Sequence, residues 1–168
     1  MFINSIGHYI PSLRLDNAYF EKLTGHNDEW FLSHTGIKTR SKTNEGEDNH
    51  SMGLQAIDNA LSTLPYPIEE VDLIIHASYS PLDTVATLAH VVQQKYSITN
   101  AKAFYISSAC STFVNAVEIV QTYFMANKAT KALIVASEHN SYYNDESCEK
   151  SGHLWGDGAA APSPHKWP

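Results

Sequence analysis

Three apolar runs, VDLIIHAS (71–78), AFYISS (103–108) and KALIVASE (131–138), constrain the fold more than any other feature of the chain. Each is continuous rather than alternating, as in a strand covered on both faces. Helical spacing fills the intervals, over SMGLQAIDNALSTL (51–64), TVATLAHVVQQKY (84–96) and STFVNAVEIVQTYFMAN (111–127). In the last of these Phe113, Val117, Val120 and Phe124 recur on one stripe, and Val114 widens it. Buried strands alternating with helices imply an α/β fold with a mostly parallel sheet and helices on both faces.

Further elements are punctuated by local signals. FINSIGHYIP (2–11) opens as a strand, and DNAYFEKLTG (16–25) reads as a helix capped by Asp16 and stopped by Gly25. DEWFLSHTG (28–36) reads as a short helical segment ending at Gly36. IKTRSKTNEGEDNH (37–50) and NSYYNDESCEKSGH (140–153) are polar and read as surface loops. LWGDGAAA (154–161) could begin a strand, whereas the following APSPHKWP (161–168) holds three prolines and is expected not to continue a central strand.

With 168 residues, 43% hydrophobic and 17% charged, the chain has the size and composition of one globular domain. A net charge of −7 argues against general nucleic-acid binding, and no stretch approaches the length of a membrane span. Two cysteines, Cys110 and Cys148, make no disulfide framework, which fits a reducing cytoplasm. The nine histidines show no metal-ligand spacing, so no metal or cofactor is expected.

Cys110 sits where the strand AFYISS gives way to the long apolar helix. Backbone N–H groups at a helix N-terminus stabilise a thiolate, so the junction suits a nucleophile; a small buried filler is the competing reading. Its neighbours Ser108, Ala109, Ser111 and Thr112 are small enough to admit a substrate carbonyl. Cys110 is expected to be the more reactive thiol despite being less exposed than Cys148. Lys38, Arg40 and Lys42 lie close to Trp30 in sequence, and cations beside an aromatic suit an adenine nucleotide or a pantetheine phosphate.

Four segments in this order, DEWFLSHTGIKTR, SSACSTF, VASEHNS and LWGDGAAA, resemble the ketoacyl-acyl-carrier-protein synthase III family of thiolase-like condensing enzymes. The resemblance covers residues 1 to about 161, leaving 162–168 as a proline-rich tail outside it. It implies the first half of a doubled βαβαβ fold. Cys110 then resembles the nucleophile that takes an acyl group from a thioester, with its own N–H in the oxyanion hole. Trp30 resembles the residue that stacks on the adenine of coenzyme A, and Gly156, Asp157 and Gly158 the glycine turn beside the active site. The implied partners are an acyl-thioester substrate, an acyl carrier protein and a second copy of the chain.

The departures from the family pattern are specific. His34 stands where an arginine often contacts coenzyme A, and Glu149, beside Lys150, near a second arginine. Thr112 replaces a glycine, and Val85 falls where a partner subunit's phenylalanine often closes the acyl pocket. The family's catalytic histidine and asparagine belong to the half that the resemblance does not reach. His139 and His153 are the nearest bases, and neither is at a matching position. A truncated, weakly active or inactive enzyme is therefore expected. The alternatives are a non-catalytic, partner-binding paralogue and a cysteine hydrolase, since S-A-C-S-T resembles a nucleophile elbow.

Overall fold

The computed structural model describes residues 1–166. Its elements run β1 (Phe2–Tyr9), β2 (Leu13–Asp16), α1 (Asn17–Thr24), α2 (Asp28–Thr35), β3 (Thr39–Lys42), α3 (Asn49–Leu61), β4 (Leu73–Ala77), α4 (Leu88–Lys95), β5 (Lys102–Ile106), α5 (Thr112–Met125), β6 (Ala132–Glu138), α6 (Asn140–Tyr143) and β7 (Gly158–His165). The main sheet has the order β1-β7-β6-β4-β5, and β2 and β3 form a separate antiparallel pair. The three apolar runs are the parallel strands β5, β4 and β6; β7 is antiparallel to both β6 and β1, so the sheet is mixed.

Alternation along β4 assigns the two faces. Ile74 joins α3 and α4 in one core, with Met52, Ile57, Leu88 and Val92, whereas Leu73, Ile75 and Ala77 meet Ala116, Val120 and Phe124 of α5 on the other. On the first face two glycines set the spacing. A Cβ on Gly7 would overlap the Ala56 carbonyl and the Ala60 amide of α3, and one on Gly53 would overlap Leu88. Beside Gly7, the buried Ser5 hydroxyl donates to the Ala60 carbonyl at 2.6 Å.

The caps at Asp16, Gly25 and Gly36 match the sequence signals. Asp16 accepts from Tyr19 N–H and Gly25 closes α1 in the left-handed region, while Asn27 and Gly36 do the same for α2. The Asp48 side chain and Ser51 form a reciprocal cap that starts α3 before Ser51 itself. The helix expected from Thr84 begins only at Leu88, because the Asp83 carboxylate holds the N–H groups of Val85 and Ala86 in a turn. On α5 the buried stripe is Thr112, Ala116, Val120 and Phe124, while Phe113 and Val114 are exposed.

Two expectations need correction. The proline-rich segment does continue a central strand: β7 runs through Pro162 and Pro164 to His165, between β1 and β6. Its continuous pairing with β6 covers only Gly158 to Ala160, and the next bridge is Lys131 to His165. The two residues without an N–H thus fall where the β6 ladder is interrupted. A boundary after residue 161 therefore lies inside a strand, and Trp167 and Pro168 of the tail lie outside the described residues. Residues 39–42 of the expected surface loop form β3, and Arg40 within it is buried.

Candidate active site

The carboxyl ends of the parallel strands converge at one end of the sheet, where open α/β folds place their ligands. After β5 the chain makes a tight turn through Ser108–Ser111 into α5. Ala109 takes φ 51°, a left-handed conformation that costs an L-residue roughly 1–2 kcal/mol. Local bonds hold it: Ser111 N–H donates to Ser108 O at 3.2 Å and Thr112 N–H to Ala109 O at 3.1 Å. The Thr112 hydroxyl donates to Ala109 O at 2.6 Å and accepts from Ser108 N–H at 2.9 Å. Thr112 is thus a buried stitch across the turn. Asn115 Nδ2 completes it with a 2.7 Å bond to Ser108 Oγ.

This strained turn presents Cys110 as an exposed free thiol, whereas Cys148 is only half-buried, so the expected order of exposure is reversed. Cys148 lies in the turn 145–152. There the Ser151 hydroxyl, 3.4 Å from Sγ, and the backbone N–H groups of Lys150 and Ser151 pull its pKa below the ordinary thiol value.

The ends of β4 and β6 are tied beside the Cys110 turn. Ser78 N–H reaches Ile106 O of β5 at 3.3 Å. The Glu138 carboxylate accepts from the N–H groups of Tyr79 and Ser80, both at 3.1 Å, and from the hydroxyls of Ser78 and Ser80. Tyr79 then donates to Asn140 Oδ1 at 2.5 Å, and Asn140 Nδ2 donates to Gly156 O at 3.0 Å. Burial first, then the Glu138 charge and more weakly Cys110, raise the Tyr79 hydroxyl pKa, so the phenol stays protonated at neutral pH.

Within the glycine turn the three residues do different jobs. Asp157 is buried, and its carboxylate accepts from Thr43 N–H at 2.9 Å, Ser141 N–H at 2.8 Å and Ser141 Oγ at 2.6 Å. Gly156 lies against Ser41 of β3, where a Cβ would come within 3.3 Å of its carbonyl. Gly158 has only ordinary contact with Tyr9 O.

Trp30 lies between two imidazoles, His26 at 3.9 Å and 9° and His34 at 4.4 Å and 20° between ring planes. Both indole faces are occupied, so an adenine stacking on Trp30 has to displace one of them. Arg40 does not present its guanidinium to solvent. It lies over the Phe20 ring at 4.6 Å and donates to the His153 carbonyl and the Asn17 side chain. Lys42 is paired with Glu146 at 2.5 Å, so Lys38 is the exposed cation of the three. Glu149 and Lys150 are both exposed. His139 bonds to Thr43 Oγ1 at 3.0 Å, and His153 is buried with its ring against Phe31 and Trp30. Val85 projects from the loop before α4, 83% exposed.

The structure therefore groups Tyr79, Glu138, Asn140 and Trp155 at the end of the sheet from which the Cys110 turn leads, with the Cys110 charge felt at the Tyr79 hydroxyl, and sets Trp30, His34 and Arg40 in a second cluster. The segment 153–157 links them, since His153 touches Trp30 and Trp155 lies 6.4 Å from Tyr79. Sequence reading missed Tyr79, Glu138, Asn140 and Trp155. Three of the four lie at or just beyond the ends of the apolar runs of β4 and β6, and that position was the available signal.

Comparison with known proteins fits this geometry. The family model for 3-oxoacyl-[acyl-carrier-protein (ACP)] synthase III matches residues 104–162, from β5 through the turn to β7. The beta-ketoacyl-[acyl-carrier-protein] synthase III of Aliarcobacter butzleri is 35% identical over 158 residues, 94% of this chain and 47% of that protein. The Haemophilus influenzae enzyme of the same name is 35% identical over 159 residues, 95% of this chain and 50% of that protein. The crystal structure of the Aquifex aeolicus 3-oxoacyl-[acyl-carrier-protein] synthase III superposes with a TM-score of 0.92 at 34% identity, covering 98% of this chain and 53% of that one. The chain spans about half the length of the curated relatives it matches. Over that half-length, it is similar in sequence to the beta-ketoacyl-[acyl-carrier-protein] synthase III relatives and shares their thiolase-like α/β fold.

Proposed function

We propose that Cys110 accepts an acyl group from a thioester and that the group is then condensed with a malonyl-type thioester. The observation that carries this reading is the exposed Cys110 on a strained turn, held by local hydrogen bonds, at the carboxyl end of β5. In the loading step the Cys110 thiolate attacks the thioester carbonyl, and the tetrahedral oxyanion collapses with loss of the donor thiol. The new bond is again a thioester, so the step is close to isoenergetic. Cys110 N–H is the oxyanion donor that the turn supplies.

In the condensation step a malonyl-type thioester loses carbon dioxide, and the resulting carbanion attacks the acyl-enzyme and releases Cys110 as thiolate. That carbanion needs stabilising donors. Neither His139, bonded to Thr43, nor His153, buried beside Trp30, is free to serve. Loading is the stage that the residues of this chain support, and the chain alone is expected to be a weak condensing enzyme.

An acyl carrier protein fits as donor or acceptor, in keeping with the names of the relatives. The occupied faces of Trp30 and the inward Arg40 weigh against tight binding of the coenzyme A nucleotide. Val85, projecting into solvent, supports contact with a second copy of the chain. Among the described residues no helix is long and apolar enough to cross a membrane.

The test is thiol release from an acyl-pantetheine thioester. Release with retention of the acyl group on the protein, lost in Cys110→Ala and kept in Cys148→Ala, is the expected outcome. Release with turnover to free acid supports the hydrolase reading instead, and release that survives Cys110→Ala overturns both.

A further inference from the structure

We infer that the cleft beside Cys110 selects a short acyl group carrying a hydroxyl or carbonyl over the plain alkyl chain of the same length. This rests on the acyl-loading role proposed for Cys110 and goes beyond it by naming the acyl class.

The cleft is lined by Tyr79, Asn140, Tyr143, Asn144 and Trp155 and holds about 180 Å³. Ordinary small-molecule sites run from roughly 300 to 1,000 Å³, so this one admits a group of a few heavy atoms. It lies at the same end of the sheet as the Cys110 turn, and the Tyr79 hydroxyl in its wall is within electrostatic reach of Cys110. Tyr79 follows β4, and the end of β4 is bonded to the end of β5, which leads straight into the Cys110 turn.

The apolar surface of the cleft comes from the rings of Trp155 and Tyr79, but its polar groups are unusually committed. Gly156 O can only accept, so the Asn140 amide is forced to turn Nδ2 toward it and Oδ1 toward the Tyr79 hydroxyl. Tyr143 is fixed by its 2.6 Å bond to Pro81 O, and Asn144 by its 2.9 Å bond to Gly152 O. Each polar side chain is therefore oriented before any ligand arrives. Asn140 keeps one N–H and one lone pair unused, and the Tyr79 oxygen keeps its acceptor capacity. An alkyl chain laid against them strips water from these groups and returns nothing. A hydroxyl or carbonyl replaces that water and gains from the preset geometry.

The experiment compares 3-hydroxybutyryl- and butyryl-pantetheine, the loading of Cys110 being followed by intact-protein mass spectrometry. The hydroxylated donor is expected to load on the order of 10-fold faster, the discrimination of one imperfectly enclosed hydrogen bond. Asn140→Leu should bring the two rates to within about twofold, and Tyr79→Phe, which keeps the ring and removes the hydroxyl, should lower the ratio part of the way. Tyr79→Phe carries the test alone if circular dichroism shows Asn140→Leu unfolded. Equal or faster loading by butyryl-pantetheine in the unmodified protein overturns the inference and leaves the acyl-loading reading standing. An unchanged preference in both variants does the same. Loading by neither donor sinks the acyl-loading reading and this inference with it.

Discussion

On one face of the main sheet α3 and α4 lie side by side over a closed core, with Gly7 and Gly53 letting helix and strand approach to backbone contact. On the other face α5 lies alone. Ser5 and Gly7 point toward α3, so Ile6 between them points to the α5 side, and there it is 64% exposed, as are Val114 at 65% and Met125 at 76%. The same sheet is thus sealed on one side, while on the other α5 covers β4 and β6 and leaves β1 bare at Ile6. Folding free energy is concentrated where burial is complete. Contiguous exposed apolar surface is a contact surface in the making. The curated relatives are about twice as long as this chain.

The contrast can be broken most sharply at Gly7. Gly7→Val should force β1 away from α3 and cost about 3 kcal/mol or more in urea denaturation, because backbone rather than a flexible side chain stands in the way. A loss below about 1 kcal/mol would show that the sealed face is not tightly packed.

His76 sharpens it through pH. This residue is buried on the sealed side, opposite to Ile75 and Ala77, with neither ring nitrogen bonded. Burial, followed by the nearby His50, lowers its pKa from 6.5 to about 3. The unfolded chain therefore takes up a proton below pH 6.5 that the folded chain refuses until about pH 3. Its contribution is intact above that window and falls by about 1.4 kcal/mol per pH unit within it. His76→Leu should flatten this part of the stability–pH curve. A slope unchanged by the substitution would place the acid sensitivity elsewhere.

The smallest effect belongs to the bare face. Ile6→Ser and Val114→Ser should change stability by less than about 0.5 kcal/mol, while reducing self-association in sedimentation velocity. A large loss of stability at either position would mean that α5 shields this surface better than its exposure indicates.

Much of the sealed half was legible from sequence because its signals are local. Continuous apolar runs mark β4, β5 and β6, the pair Asp16–Gly25 punctuates α1, and Gly36 ends α2. What stayed hidden depends on distant partners. Pro162 and Pro164 sit in a central strand only because the β6 ladder lapses beside them. Arg40 looks like a surface cation until Phe20 and Asn17 of α1 and the distant His153 close over it. Cys110 was legible through its place between strand and helix. The side chains around it come from the ends of β4 and β6, and no spacing rule joins Tyr79 to Asn140 across 61 residues.

The two cysteines make the decisive test, because electrostatics and geometry point to different thiols. Cys148 has the pKa lowered by its neighbours, while Cys110 has the exposed, strained turn beside a cleft. The measurement is peptide mapping by mass spectrometry after brief exposure to an acyl-pantetheine thioester, with iodoacetamide as the non-specific control. Acylation confined to Cys110, even where iodoacetamide also marks Cys148, is the result expected of a site shaped for thioesters. Acyl label on Cys148 with Cys110 unmodified would contradict it.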